Sequence, residues 1–187
     1  MSNVEQPDYT LVTSEKNIEI RDYPPMILAE VEVVGERKQA ISEGFKILVD
    51  YIFGNNTSKK KMDMKAPVTN ELSEKIAMTA PVIQEQYMDN WKVRFVMPKK
   101  YSLETLPKPN SKDVILISMP PRRFAVIRFS GLVDDDNIKQ NREDLEAYIK
   151  AEKLSSIGGT VYAFYNPPWT LPFLRRNEVM IEIGINP

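Results

Sequence analysis

Asp134, Asp135 and Asp136 stand in a row ahead of an amphipathic stretch. Three adjacent carboxylates can chelate a metal ion. At the head of a helix they also accept hydrogen bonds from free N–H groups and suit the positive end of the helix dipole. Capping is the better reading here, and no metal is expected. A second feature is the pair Arg175 and Arg176, in Phe173-Leu174-Arg175-Arg176-Asn177-Glu178, with Trp169 just upstream. Guanidiniums clamp carboxylates, and aromatic side chains offer a flat apolar surface. The alternative is a tight loop in which arginine bonds backbone carbonyls and Glu178.

Much chemistry is excluded outright. The 187 residues contain no cysteine and no histidine. Disulfides, thiolate metal sites, thiol nucleophiles, a Ser-His-Asp triad and an HExxH zinc site are therefore impossible. No paired-acid motif, P-loop or GxGxxG is present, so no enzyme is expected. The net charge of −1 gives no global basic field for nucleic acid. No apolar run approaches the roughly 20 residues that span a bilayer. The N-terminal MSNVEQPDYT lacks the features of an export signal, so the expected location is cytoplasmic. Asn55-Asn56-Thr57 then reads as a polar loop rather than a glycosylation site.

The elements that must position these residues follow from periodicity. Residues 9–13 and 18–23 alternate as strands, and Pro24-Pro25 breaks the second. Met26 to Val34 puts Ile27, Ala29, Val31 and Val33 on one side, with Glu30 and Glu32 on the other. Arg37 to Phe53 predicts a helix with the stripe Ile41, Phe45, Leu48 and Ile52. Gly44 in its middle implies close packing, a backbone near a ligand, or tolerance. Met64-Lys65-Ala66-Pro67-Val68 and Met78-Thr79-Ala80-Pro81-Val82 repeat one unit and suggest a hairpin around residues 70–75. Further strands are expected at 91–97, 114–118, 124–129, 160–165 and 178–183. A second helix carries Ile138, Leu145, Tyr148 and Ile149 inward, and Gly158-Gly159 turns the chain.

These elements repeat. Lys16, Pro24 and Gly35 recur as Lys112, Pro120 and Gly131, each 96 residues on. Val93-Arg94-Phe95-Val96 matches Val179-Met180-Ile181-Glu182 at an offset of 86, and Ala77 to Pro81 matches Ala163 to Pro167 at the same offset. The pattern β-β-α-β-β done twice makes one pseudo-symmetric domain over 1–187, with halves at about 9–98 and 112–184. The fold class is α+β: duplicated units forming a curved antiparallel sheet or distorted barrel with two helices outside. The groove between such halves is a natural ligand site.

Lys75 to Val82 (KIAMTAPV), Tyr51 to Asn56 (YIFGNN), Tyr101 to Asn110 (YSLETLPKPN) and Tyr165 to Glu182 (YNPPWTLPFLRRNEVMIE) resemble the motifs of the SOUL family of haem-binding proteins. The resemblance spans residues 9–183. It implies a duplicated β-α-β-β fold similar to bacterial effector-binding domains. It further implies non-enzymatic binding or carriage of haem or a related tetrapyrrole, the alternative being an effector-binding or protein-interaction module with no haem role. The expected partner is a small planar hydrophobic ligand.

A porphyrin needs a flat apolar wall and basic groups for its propionates. The candidates are Arg175 and Arg176 for the acids, Trp169 and Phe173 for ring contact, and Lys46, Val49 and Phe53 on the first helix. Some family members bind through histidine, which this chain lacks. Others use basic side chains on the first helix, at positions that fall near Ser42 and Asp50 here. Binding must rest on apolar contact or on a weaker ligand such as Met or Tyr. In the effector reading, Glu30, Glu178 or Glu182 would face a flat cation.

Overall fold

The computed structural model describes residues 4–59 and 73–184. The first M-x-A-P-V unit and the hairpin expected near 70–75 lie outside the described residues, apart from the hairpin's last three positions. Strands β1 (Thr10–Glu15), β2 (Ile18–Tyr23) and β3 (Met26–Val34) lead into helix α1 (Arg37–Ile52). Then come β4 (Asn56–Thr57), β5 (Val82–Tyr87), β6 (Asn90–Val96) and β7 (Lys108–Pro109). The second half runs β8 (Ile115–Met119), β9 (Arg122–Phe129), α2 (Asp135–Ala151), β10 (Ser156–Phe164) and β11 (Asn177–Ile183).

Nine strands form one antiparallel sheet in the order β1-β2-β9-β11-β10-β5-β6-β3-β8, while β4 and β7 pair as a separate ribbon. The end strands do not meet, so the sheet is curved rather than closed. Its inner positions alternate: Ala29, Val31 and Val33 of β3 and Trp91, Val93 and Phe95 of β6 are buried in the main core. Helix α1 packs on β3 and β6, and α2 on β9 and β11. Gly44 is explained by packing, since a Cβ there would lie 2.7 Å from Val93 Cγ2. The Asp134 side chain accepts from Asn137 N–H at 2.8 Å and caps α2.

The ladder registers carry the duplication. Ala29 pairs with Phe95, and Ala125 with Ile181, so an offset of 96 in one strand accompanies 86 in its neighbour. Ala29 also pairs with Leu116, and Ala125 with Ile20, which again differ by 96. The match of Ala77–Pro81 to Ala163–Pro167 is corrected. Gln84 pairs with Val93, and Tyr162 with Val179, so β5 and β10 correspond at an offset of 78. Gln84 and Tyr162 also pair with each other, and the pseudo-two-fold axis passes between them. The extra eight residues of the second half sit in the loop between β10 and β11. Gly158 and Gly159 do not end a loop; they lie inside β10, where the register slips between Ser156 and Thr160.

Candidate functional site

Side chains on the sheet face away from the helices build a second, smaller apolar cluster of Tyr23, Phe124, Val126, Ala163 and Met180. A cavity of about 290 Å³ opens on it. Its walls come in pairs related by the offsets above: Leu28 with Phe124, Ile83 with Val161, and Met119 with Tyr23. The cavity therefore straddles the pseudo-two-fold axis, where the two halves meet.

Two ion-paired groups line this apolar wall. Arg94 Nε donates to Glu30 Oε2 at 2.5 Å, and its Nη1 lies 2.6 Å from Glu85 Oε2. Arg122 Nη1 donates to Glu182 Oε2 at 2.6 Å. The glycines of the β10 bulge make room for these acids. A Cβ on Gly158 would lie 3.3 Å from Glu182 Oε2, and one on Gly159 would lie 3.6 Å from Glu85 Oε1.

Behind the wall sits a buried ionic network. Arg21 (1% exposed) grips Glu178 (0%) in a bidentate pair at 2.9 and 3.1 Å. Tyr165 Oη donates to Glu178 Oε2 at 2.9 Å, and Arg21 Nη1 donates to Tyr23 Oη at 3.1 Å. Burial pushes the Glu178 carboxyl up, but the Arg21 and Arg176 guanidiniums outweigh it and hold the group below the ordinary carboxylate range. Burial pushes the Tyr23 phenol up to about 12, against the pull of Arg21. Burial, reinforced by the charge of Glu178, puts Tyr165 well above its ordinary value. Both tyrosines line the cavity and stay neutral hydrogen-bonding groups near neutral pH.

A second cavity, about 380 Å³, adjoins the first and shares Pro7, Met26 and Ser118 with it. Of the N-terminal segment, Pro7 lines both cavities, and Glu5, Gln6 and Asp8 line the second. Ala80 N–H donates to Glu5 O at 2.9 Å, and Glu5 Oε1 accepts from Lys99 N–H at 2.8 Å. Asp8 pairs with the Lys99 ammonium, and Gln6 Oε1 accepts from Arg176 Nη1 at 3.1 Å.

The residues chosen from sequence stand elsewhere, and none of the seven lines either cavity. Trp169 and Phe173 are 83% and 70% exposed on the β10–β11 loop. Arg175 staples that loop, donating through Nε to Thr170 O at 2.8 Å and through Nη2 to Pro168 O at 2.6 Å. Arg176 donates through Nε to Glu178 Oε1 at 2.9 Å and stacks on the Tyr165 ring at 3.9 Å. The loop-fixing reading of both arginines matches these contacts. Lys46 is exposed and Val49 half-buried on α1, whereas Phe53, 58% exposed, sits under the Lys75 ammonium. The effector-type acids fare differently: Glu182 lines the first cavity, Glu30 supports its Arg94, and Glu178 is sealed behind it. The first cavity's residues come from eight strands and carry no local motif. The 96 and 86 offsets were the one signal that could have found them, since they set Leu28 against Phe124 and Arg94 against Met180.

Among the described residues no group of three acidic side chains could hold a metal ion, and no helix is long and apolar enough to cross a membrane. The model of the family described as SOUL heme-binding protein matches residues 4–73 and 69–182. No curated protein gives a significant match. Among solved structures, the EcmrR C-terminal domain is similar at TM-score 0.64 and 9% identity, covering 94% of this chain and 98% of that one. EcmrR in a complex with DNA gives 0.60 at 9% identity, over 89% of this chain and 57% of that one. A protein from Listeria innocua described as a hydrolase gives 0.57 at 10% identity, over 92% and 94%. Such distant likenesses bear on the fold.

Proposed function

The chain belongs to the SOUL heme-binding protein family, and from that premise we propose that it binds haem or a related tetrapyrrole non-enzymatically in the cleft on the pseudo-two-fold axis. The observation that carries this reading is the paired apolar wall: Leu28 with Phe124 and Ile83 with Val161 can face a planar ring from both halves. A cleft of predominantly apolar lining with a few oriented polar groups is what a flat ligand needs. The donor set fits the ring but not its iron. The cleft offers the thioethers of Met26, Met119 and Met180 and two phenols already held by hydrogen bonds. No axial ligand is assigned, and the macrocycle is held by contact. Glu85 and Glu182 are each occupied by a guanidinium, which argues against their acting as a paired acid and base.

Ile117→Trp would fill the cleft from β8. Titrating ferric haem while following the Soret band should give saturable binding at micromolar haem in the wild type. The signal should be lost in Ile117→Trp but kept in Trp169→Ala/Phe173→Ala, and equal loss in both would return the site to the loop. One observation favours a second reading, an effector site for a flat cation. Glu85 and Glu182 both line the cleft, where a flat cation could compete with Arg94 and Arg122 for them. A thermal-shift comparison of porphyrins with flat aromatic cations separates the two.

A further inference from the structure

The two cavities flank one strand of chain, and the charges around that strand are distributed unusually. Among the described residues, the charged ones lining the second cavity are Glu5, Asp8 and Lys99. Both acids belong to the N-terminal segment, and the fixed wall contributes the single cation. Each acid is spent on the same wall residue: Glu5 Oε1 takes the Lys99 backbone N–H, and Asp8 takes its ammonium. Glu5, Gln6 and Asp8 are exposed, and in the segment from Val4 to Tyr9 only Val4 and Pro7 are even partly buried. Exposed ion pairs of this kind hold weakly.

From this arrangement we infer that residues 5–8 form a displaceable strap whose two carboxylates stand in for the carboxylates of an amphipathic ligand. This rests on the cleft reading above and gives the ligand a direction. Its apolar ring lies in the first cavity, and its acidic edge reaches past Pro7 to Lys99. The first cavity alone is at the lower bound of sizes that hold drug-like molecules, roughly 300–1,000 Å³, and joining the second extends it well into that range. The electrostatics agree. The first cavity's charges balance, Glu85 and Glu182 against Arg94 and Arg122, and both arginines are already paired with carboxylates, so an acidic edge finds its cation at the other end. Moving the strap removes two negative charges from the second cavity and leaves Lys99 as its only charge. The ligand class is therefore a flat apolar molecule with one or two carboxylates on one edge.

The probes are protoporphyrin IX, which carries two carboxylates, and its dimethyl ester, which carries none. Binding is followed by absorbance and by intrinsic fluorescence. Glu5→Gln/Asp8→Asn keeps the strap's shape and removes its charge. This variant should bind the acid about tenfold more tightly and faster, with the ester changed less than twofold. Lys99→Gln should weaken the acid by a similar factor and spare the ester. An acid-to-ester affinity ratio unchanged in both variants overturns the strap while leaving the cleft reading in place. Failure of the wild type and both variants to bind either probe overturns the cleft reading and the strap together. All three substitutions are at exposed residues, and circular dichroism checks that the fold is retained.

Discussion

The two halves of the sheet surface that lines the cleft carry the same backbone and different chemistry. In the first half, Glu30, Arg94 and Glu85 form an ion-paired triad at the cleft. The offsets of 96, 86 and 78 carry these positions onto Val126, Met180 and Ala163, which are buried and apolar. Across the axis, where β2 of the first half pairs with β9 of the second, Arg21, Glu178 and Tyr165 form the sealed network. Their symmetry counterparts are Ile117, Lys92 and Tyr87, where the Lys92 ammonium rests 4.0 Å from the centre of the Tyr87 ring and 4.0 Å from Glu30 Oε1. Duplication thus supplied a symmetric frame, and side chains then made its wall lopsided. A symmetric wall would accept a ligand in two equivalent orientations. This one carries the Glu30–Arg94–Glu85 triad on one side and a single Arg122–Glu182 pair on the other, so the two orientations would differ.

The largest expected effect breaks the buried side. Glu178→Ala leaves Arg21 buried and half-paired, and stability should fall by about 3–5 kcal/mol in urea denaturation. Glu85→Ala, in the largely buried triad, should lower stability by less, about 1–2 kcal/mol, because Arg94 keeps Glu30. Equal losses would erase the distinction between the halves.

The next effect contrasts how the two helices sit. Gly44→Ala pushes a methyl group against Val93, and calorimetry should show a loss of about 1–3 kcal/mol. Transplanting the second half's chemistry into the first, as Glu30→Val/Glu85→Ala/Arg94→Met, should be neutral or stabilising by about 1 kcal/mol. It should also strengthen binding of the porphyrin diester relative to wild type. The smallest effect concerns caps. Asp134→Ala should lower stability by about 1 kcal/mol, whereas Glu36, whose side chain makes no capping bond to α1, should be nearly silent as alanine.

The two sides should also titrate differently. The Glu178 carboxyl is held low when folded, so its contribution is present above the ordinary carboxylate range. It disappears as pH falls through the lowered value. Acid unfolding of the wild type should be steeper than that of Glu178→Gln. In the alkaline direction the Tyr23 phenol is raised to about 12 when folded. Its contribution is complete below about 10 and lost as pH climbs toward 12. Tyr23→Phe should flatten that limb.

Much of the frame was legible locally. β3 alternates Ala29, Val31 and Val33 inward because one face packs a helix and the other does not. α1 shows its stripe because only one side touches the sheet. β5 was missed because Val82–Tyr87 places Gln84 at an inward position, which erases the alternation. Gly158-Gly159 looked like a turn because glycine is ambiguous between a turn and a bulge. The residues chosen from sequence stand apart from the cleft for another reason. Arg175, Arg176, Trp169 and Phe173 are conspicuous together in sequence, and the loop they form spends its arginines on its own backbone and on Glu178.

Sequence by itself settled what this protein cannot do with thiol or imidazole, and that it is built twice over from one unit. Those are properties of residue type and spacing, which survive any folding. Only the tertiary structure decided that Leu28, Ile83, Phe124, Val161 and Met180 share one wall, that Glu178 is sealed against Arg21, and that the strap's acids rest on Lys99. Each of those depends on strand order and register, and the sheet brings together residues more than a hundred positions apart, such as Ile18 with Ile127 and Arg21 with Glu178.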